Sequence, residues 1–196
     1  MLRKAIYPKI EGLLNTIGTA LHAKGITPNQ LTLGGLGLTF VAGLLFANGN
    51  FFLGGLVMLI AGSADMLDGP LARVGHKTTP FGAFLDSTVD RYADFFIFGG
   101  LALFYAKTGQ GGWFLISLGI ILGSFVTSYA KARAENLIAD CSVGVFERSE
   151  RILTLAAGIF LRPLLPLALW VLFFGTNATA IHRILHTRQT LNEKSL

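Results

Sequence analysis

Residues 65–90 read DMLDGPLARVGHKTTPFGAFLDSTVD. Asp65, Asp68, Asp86 and Asp90 stand inside or between apolar runs long enough to cross a membrane. An ionisable group at membrane depth is costly and needs a partner or a wet cavity, which makes it a functional candidate. On a helix Asp65 and Asp68 (i, i+3) share a face, as do Asp86 and Asp90 (i, i+4). Two such pairs, joined by a short stretch holding Gly69, Arg73 and Gly82, are placed to converge on one cation site.

The runs on either side set the fold class. The chain has 196 residues, the length of one domain, with 52% hydrophobic and only 14% charged residues. Its mean hydropathy is +0.59, well above that of a soluble domain. The apolar residues fall into runs of roughly 16 to 24, the length an α-helix needs to cross a hydrocarbon core of about 30 Å. The expectation is an all-α integral membrane protein of six transmembrane helices, residues 31–184, preceded by an amphipathic helix lying in the interface over residues 1–23. The spans run from about Leu31 to Phe46, Phe51 to Asp65, Gly82 to Tyr105, Trp113 to Ala134, Ser149 to Leu161 and Leu164 to Ile184. The second is open to extension through Arg73. The fifth is short at its apolar centre.

Between the spans, Lys24–Asn29 is a Gly- and Pro-punctuated break. Ala47–Asn50 and Lys107–Gly111 are turns, and Asn136–Glu147 is a polar loop. Residues 185–196 read as a solvated, frayed cytoplasmic tail. In the N-terminal helix Ile6, Ile10, Leu13, Leu14, Ile17 and Leu21 recur at helical spacing, with Arg3, Lys4, Lys9, Glu11 and His22 elsewhere. That pattern fits a helix facing anionic headgroups as well as a surface helix packed on the bundle. Pro8, Lys9 and Glu11 interrupt what would be the apolar core of a signal peptide, so none is expected.

The charge pattern orients the bundle. Of the sixteen lysines and arginines, all but Lys107 and Arg162 fall on one side of the six-span layout. By the positive-inside rule that side is cytoplasmic. Both termini, the aspartates and the K-A-R-A-E segment ending at Glu135 are therefore expected to face the cytoplasm of a multi-pass cell-membrane protein. The Asn177-Ala178-Thr179 sequon falls within a span and carries no meaning. The net charge of +5 is accounted for by basic helix flanks. No aromatic-interleaved basic patch or nucleic-acid motif accompanies it, so no nucleic-acid partner is expected. Cys141 is the only cysteine, which excludes an intrachain disulfide and a cysteine-rich zinc site.

Clustered carboxylates with no histidine or cysteine among them suit a hard divalent cation, Mg²⁺ or Mn²⁺. Such an ion accepts a few carboxylates and leaves positions for water and substrate phosphates. Arg73, between the pairs, can clamp a phosphate with its guanidinium fork. Gly69 and Gly82 let a ligand approach the backbone. Together these point to phosphoryl-group chemistry on a substrate with one end in lipid.

Asp65, Asp68, Gly69, Ala72, Arg73, Gly82, Asp86 and Asp90 match the pattern D-x2-D-G-x2-A-R-x8-G-x3-D-x3-D. In this the chain resembles the CDP-alcohol phosphotransferases (CDP-alcohol phosphatidyltransferases), and the six-span layout extends the likeness over most of its length. The resemblance implies that a CDP-linked group, commonly diacylglycerol, passes to an alcohol while CMP leaves. It implies two metal ions held by Asp65, Asp68, Asp86 and Asp90, with Asp90 also the base that deprotonates the acceptor hydroxyl. It implies nucleotide and diphosphate contacts from Gly69, Arg73 and Gly82, with Thr79, and from Asn29 and Thr32 in the P-N-Q-L-T segment. It also implies a homodimer.

A second basic constellation bears on the acceptor. Ser128-Tyr129-Ala130-Lys131-Ala132-Arg133-Ala134-Glu135 ends one span, Glu147-Arg148-Ser149-Glu150-Arg151 opens the next, and Arg183 closes the last. These segments resemble the branch of the family that uses inositol phosphate. The resemblance implies that Ser128, Lys131, Arg133, Arg148, Arg151 and Arg183 hold the acceptor phosphate. Glycerol 3-phosphate is also anionic, so phosphatidylglycerophosphate synthesis is the nearest alternative, and the donor could be diacyl, ether-linked or soluble. Two other classes share some features. A membrane prenyltransferase uses aspartate pairs and Mg²⁺ but lacks the G-x2-A-R link. A cation transporter would spread its acidic residues along a path rather than at one end.

Overall fold

The computed structural model describes residues 2–75 and 79–194, with side chains described from 11 to 75 and from 79 to 193. Among them every regular element is helical: α1 (Leu2–Ala23), α2 (Pro28–Ala47), α3 (Phe51–Val74), α4 (Pro80–Lys107), α5 (Gly111–Ala134), α6 (Arg148–Phe160), a 3₁₀ turn (Arg162–Leu164) and α7 (Leu165–Lys194). The Ile6 and Ile10 part of the α1 stripe, the basic side chains before it, and Lys77 lie outside the described residues. Each apolar run read from the sequence forms a helix. The second continues past Asp65 to Val74, as its extension through Arg73 anticipated.

Four stretches are long and apolar enough to cross a membrane: α2, α3, α5, and Arg162–Glu193. The other two expected spans differ for separate reasons. α4 has 28 residues but carries Asp86, Asp90, Arg91 and Asp94 within its first fifteen. α6 has only 13 residues, about 20 Å of helix at 1.5 Å per residue, because Leu161-Arg162-Pro163 ends it. The tail also differs from its reading. α7 runs unbroken to Lys194, since residues 185–194 contain no glycine or proline and are mostly good helix formers. Thr187 and Thr190 hydroxyls return to the carbonyls of Arg183 and His186 one turn back.

The chain packs as two compact units, Met1–Gly100 and Leu101–Leu196. In the first, α1 lies on the C-terminal half of α3. Leu14 is buried, Ile17 and Leu21 are half-buried, and Gly18 sits against the backbone of Pro70 and Leu71. Of the described stripe, Leu14, Ile17 and Leu21 are wholly or partly covered, while Leu13 stays 62% exposed. α2 and α4 approach at Gly43 and Gly100, where a Cβ on either would run into the other strand of backbone: Gly43 faces the Phe96 carbonyl, and Gly100 faces Gly43. Small residues permit such approach where apolar burial alone cannot drive helix association.

In the second unit α5 and α7 pack through Gly119 and Gly123, set against Phe173 and Thr176. Thr127 Oγ1 donates to the Thr176 carbonyl at 2.9 Å. Asn177 Nδ2 donates to the carbonyls of Gly119 and Phe173, at 3.2 and 2.8 Å. The sequon asparagine is thus a helix-helix contact, in keeping with its place in a span.

Candidate active site in the first unit

The site is built on the ends of three helices. Thr27 caps α2 through a capping box with Gln30, and Pro28 takes the first helical position, where its missing N–H is no loss. α4 opens in the same way. Thr79 Oγ1 accepts from the Gly82 N–H at 3.0 Å, and Pro80 begins the helix. α3 contributes its C-terminal third. Pro70 lies inside that helix and cannot donate to the Met66 carbonyl, so the ladder is interrupted beside Asp68 and Gly69.

These ends enclose a pocket of about 210 Å³ lined by Pro28, Asn29, Thr32, Asp68, Gly69, Ala72, Arg73, Thr79, Gly82, Ala83 and Asp86. All six residues expected to contact the CDP group, Asn29, Thr32, Gly69, Arg73, Thr79 and Gly82, are on its wall. The N-terminal turns of α2 and α4 also line it, and the positive end of a helix dipole favours phosphate. The glycines differ in what they leave open. A Cβ at Gly82 would meet Thr79 Oγ1 at 3.2 Å and Asn29 Oδ1 at 3.7 Å, whereas one at Gly69 would meet only the Arg73 guanidinium, at 3.6 Å. Among the described residues nothing in the packing requires Gly69, which lines the pocket.

Asp65, Asp68 and Asp86, all half-buried, each bring a carboxylate oxygen within 4.8 Å of the others. Three like charges at this separation repel unless a cation lies among them. An all-oxygen donor set with no nitrogen or sulfur fits a hard divalent ion. Asp68 is fixed from outside the cluster. Thr32 Oγ1 donates to its Oδ2 at 3.0 Å, and the same hydroxyl lies 3.1 Å from the Pro28 carbonyl. Asp90, expected as the fourth ligand, is not in this group. It lies one turn beyond Asp86 on α4, with Oδ2 3.6 Å from Arg91 Nη1. Asp94, a further turn along, is buried.

The basic residues expected to hold an acceptor phosphate lie in the second unit. Arg183 is only 3% exposed and much of its fork is committed. Nε donates to the Val143 carbonyl at 2.9 Å, Nη1 to the Thr127 carbonyl at 2.8 Å, and Nη2 lies 3.7 Å from Glu147 Oε1. Arg151 is also buried, with Nη1 donating to the Phe146 carbonyl at 3.3 Å. Lys131 is half-buried, 3.9 Å from Glu135. Ser128 and Arg148 are half-buried and Arg133 is exposed. The sequence reading did not single out Thr179, Val143 or Thr127, whose contacts hold this loop. The four-residue spacing of Thr179 and Arg183 was the one available signal.

Comparison with known proteins finds relatives that cover most of the chain. An archaetidylinositol phosphate synthase from Pyrococcus horikoshii is 42% identical over 154 residues, 78% of this chain and 79% of that protein. A phosphatidylinositol phosphate synthase from Streptomyces avermitilis is 35% identical over 203 residues, 96% of this chain and 83% of that protein. The crystal structure of Mycobacterium tuberculosis phosphatidylinositol phosphate synthase with CDP-DAG bound matches with a TM-score of 0.82 at 33% identity, covering 89% of this chain and 92% of that one. The same enzyme in complex with manganese and citrate matches with the same score, covering 88% of its chain. The family model for CDP-alcohol phosphatidyltransferase spans residues 25–184, from the break before α2 into α7, and with the aspartate cluster and pocket inside that range the chain belongs to the CDP-alcohol phosphatidyltransferase family of transferases.

Proposed function

We propose that the protein transfers a phosphatidyl group, or its ether-lipid equivalent, from a CDP-linked lipid to inositol 1-phosphate, giving phosphatidylinositol phosphate and CMP. The observation that carries this is the pocket of the first unit. The expected nucleotide contacts form its wall, and two of the clustered aspartates, Asp68 and Asp86, line it. The acceptor is taken from the relatives named as inositol phosphate lipid synthases and from the basic cluster of Lys131, Arg133, Arg148, Arg151 and Arg183, with Ser128. A phosphorylated alcohol is the class of substrate that such a cluster suits.

In this reading Asn29, Thr32, Gly69, Arg73, Thr79 and Gly82 hold the cytidine and diphosphate, and the amides opening α2 and α4 take part of the phosphate charge. Asp65, Asp68, Asp86 and Asp90 hold two Mg²⁺ ions, with Mn²⁺ able to replace them. Bound there, the metal offsets the charge of the diphosphate and of departing CMP. Asp90 takes the proton of the acceptor hydroxyl. The acceptor oxygen forms a bond to the lipid-side phosphorus as the bond from that phosphorus to the CMP oxygen breaks. Arg73 steadies the diphosphate, and Arg148 and Arg151 orient the acceptor through its own phosphate, so that positioning supplies much of the rate.

The wider layout belongs to the same proposal. The chain is one functional domain of six spans, with α4 and α6 completing the four long apolar stretches, α1 at the interface, and both termini and the site cytoplasmic in the cell membrane. It works as a homodimer. The test is an acceptor panel of inositol 1-phosphate, glycerol 3-phosphate, inositol and serine with CDP-diacylglycerol, following CMP release. Turnover with inositol 1-phosphate alone is expected. Preference for glycerol 3-phosphate would make the protein a phosphatidylglycerophosphate synthase instead.

A further inference from the structure

The segment 141–147 is laid along one ridge of α7. Gly175, Thr179, Arg183 and Thr187 recur every four residues and so stand in one row on the helix. Each meets the segment in turn. The Phe146 ring occupies the space over Gly175, where a Cβ would meet its Cδ2 and Cε2 at 2.5 Å. Thr179 Oγ1 accepts from the Phe146 N–H at 3.2 Å, and its Cγ2 fills the place a Cβ on Gly144 would need. Arg183 Nε donates to the Val143 carbonyl. Thr187 Oγ1 lies 4.0 Å from Cys141 Sγ. Ascending α7 thus descends the segment from 146 to 141, an antiparallel match in register.

Two features make Thr179 and Gly144 its centre. Gly144 has φ +99°, a conformation that side chains beyond glycine rarely adopt. Thr179 is 4% exposed and serves the segment with both arms of its side chain, the hydroxyl to one residue and the methyl to another. The segment then runs through Glu147 straight into α6, whose first residue is Arg148 and whose first turn holds Arg151. Arg151 is bonded back to the Phe146 carbonyl, next to the amide that Thr179 holds. The α5–α7 contacts through Thr127, Thr176, Asn177 and Gly119 do not involve Thr179.

We infer that Thr179 is a positioning residue for the acceptor, and that with Gly144 it sets the register of the 141–147 segment and so the aim of Arg148 and Arg151. The inference rests on the reading in which those arginines hold the acceptor phosphate. Thr179→Val keeps the shape and removes the hydrogen-bond acceptor, leaving the Phe146 N–H without its partner, while Thr179→Ser keeps the hydroxyl and removes the methyl. Gly144→Ala meets both the φ restriction and the Thr179 methyl. Trimming that methyl should relieve part of it, so the two substitutions should not be additive.

The experiment measures CMP release by the full-length enzyme with CDP-diacylglycerol and inositol 1-phosphate, varying each substrate in turn. Thr179→Val is expected to raise the acceptor KM about five-fold or more, with the donor KM and kcat within about two-fold of wild type. Thr179→Ser should restore the acceptor KM to within about two-fold of wild type. Gly144→Ala should raise it further, and Gly144→Ala with Thr179→Ser should fall below Gly144→Ala alone. An unmoved acceptor KM in Thr179→Val, equal shifts in both substrates, or additive effects in the pair overturn the inference while leaving the acceptor assignment standing. A wild-type enzyme that releases no CMP with any phosphorylated alcohol overturns the acceptor reading, and this inference with it.

Discussion

Thr32 Oγ1 donates a 3.0 Å hydrogen bond to Asp68 Oδ2, joining the N-terminal part of α2 to the aspartate pair on α3. Thr32 is 6% exposed, so little water competes for the bond. The hydroxyl has one proton to offer, and the Pro28 carbonyl lies 3.1 Å away as a second acceptor. A carboxylate is the stronger of the two. The bond ties one Asp68 oxygen to α2, and a carboxylate oxygen of the same residue lies within 4.8 Å of those of Asp65 and Asp86.

Thr32→Val should loosen Asp68 without opening a cavity. A hydrogen bond to a charged group contributes about 1.5–3 kcal/mol, so the divalent-ion concentration for half-maximal activity should rise roughly ten-fold or more. Thr32→Ser keeps the donor and should stay near wild type. Titration with Mn²⁺, followed by electron paramagnetic resonance and by CMP release, reads both. Equal Mn²⁺ affinity in Thr32→Val and wild type would show that the bond does not hold the ligand in place.

Asp90 lies one turn beyond Asp86 on α4, outside the group of three carboxylates within 4.8 Å of one another, and its Oδ2 is 3.6 Å from Arg91 Nη1. If it is the base, Asp90→Asn removes the proton acceptor while keeping size and most contacts. General-base loss typically costs about 10²- to 10⁴-fold, so kcat should fall by that much. CDP-diacylglycerol should still bind to the purified protein in the presence of Mn²⁺, measured calorimetrically. Asp86→Asn should instead weaken metal binding and turnover together. Near-normal turnover in Asp90→Asn would remove it from the role of base.

The aspartate motif was legible in the sequence because helix geometry fixes what three- and four-residue spacings do. Asp65 and Asp68 had to share a face, and the Gly69–Gly82 interval had to turn the chain back to Asp86. Thr-Pro before α2 and again before α4 marked both helix starts that line the pocket. What spacing does not set is how helices cross. The Thr32–Asp68 bond links residues far apart in the chain, and whether Asp90 joins the other three carboxylates depends on how α3 meets α4. The place of Arg183 near the end of the last span does not reveal the carbonyls that hold it, which belong to Thr127 and Val143 on other segments. The 13-residue length of α6 follows from Arg162-Pro163, a local break that ends the fifth run at Leu161 in the sequence as well.

The approach of α2 to α4 gives a stability prediction. A Cβ at Gly43 would overlap the Phe96 carbonyl, and one at Gly100 would overlap the backbone of Gly43. Both obstacles are main chain, which cannot rotate away as a side-chain tip can. Either alanine forces the helices apart, and overpacking of this kind costs about 1–3 kcal/mol or more. Gly43→Ala and Gly100→Ala should each lower the unfolding midpoint of the detergent-solubilised protein by several degrees. Gly34→Ala and Gly37→Ala, where nothing lies within 4 Å, should leave it unchanged. Unfolding midpoints for Gly43→Ala and Gly100→Ala equal to wild type would mean that the helices have room to adjust.

The placement of the second unit in the bilayer can be read from its tryptophans, Trp113 and Trp170, the only two in the chain. Their rings meet edge to face at 6.4 Å, Tyr105 extends the row to Trp113 at 6.1 Å, and Trp170 stacks on Phe174 at 5.3 Å. The α4–α5 turn holding Lys107 and Gln110 adjoins this group in sequence, between Tyr105 and Trp113. Amphipathic aromatic rings collect at headgroup level, where one edge is apolar and the other wet. In the proposed six-span layout this turn falls at the outer interface. Lipids brominated near the headgroup should therefore quench the intrinsic fluorescence more strongly than lipids brominated near the chain ends. Trp170, at 42% exposure, should contribute most, so Trp170→Phe should remove most of the difference. Strongest quenching from the chain ends would put these rings at mid-bilayer. The turn between α4 and α5 would then lie too deep for the six-span arrangement, which would have to be redrawn.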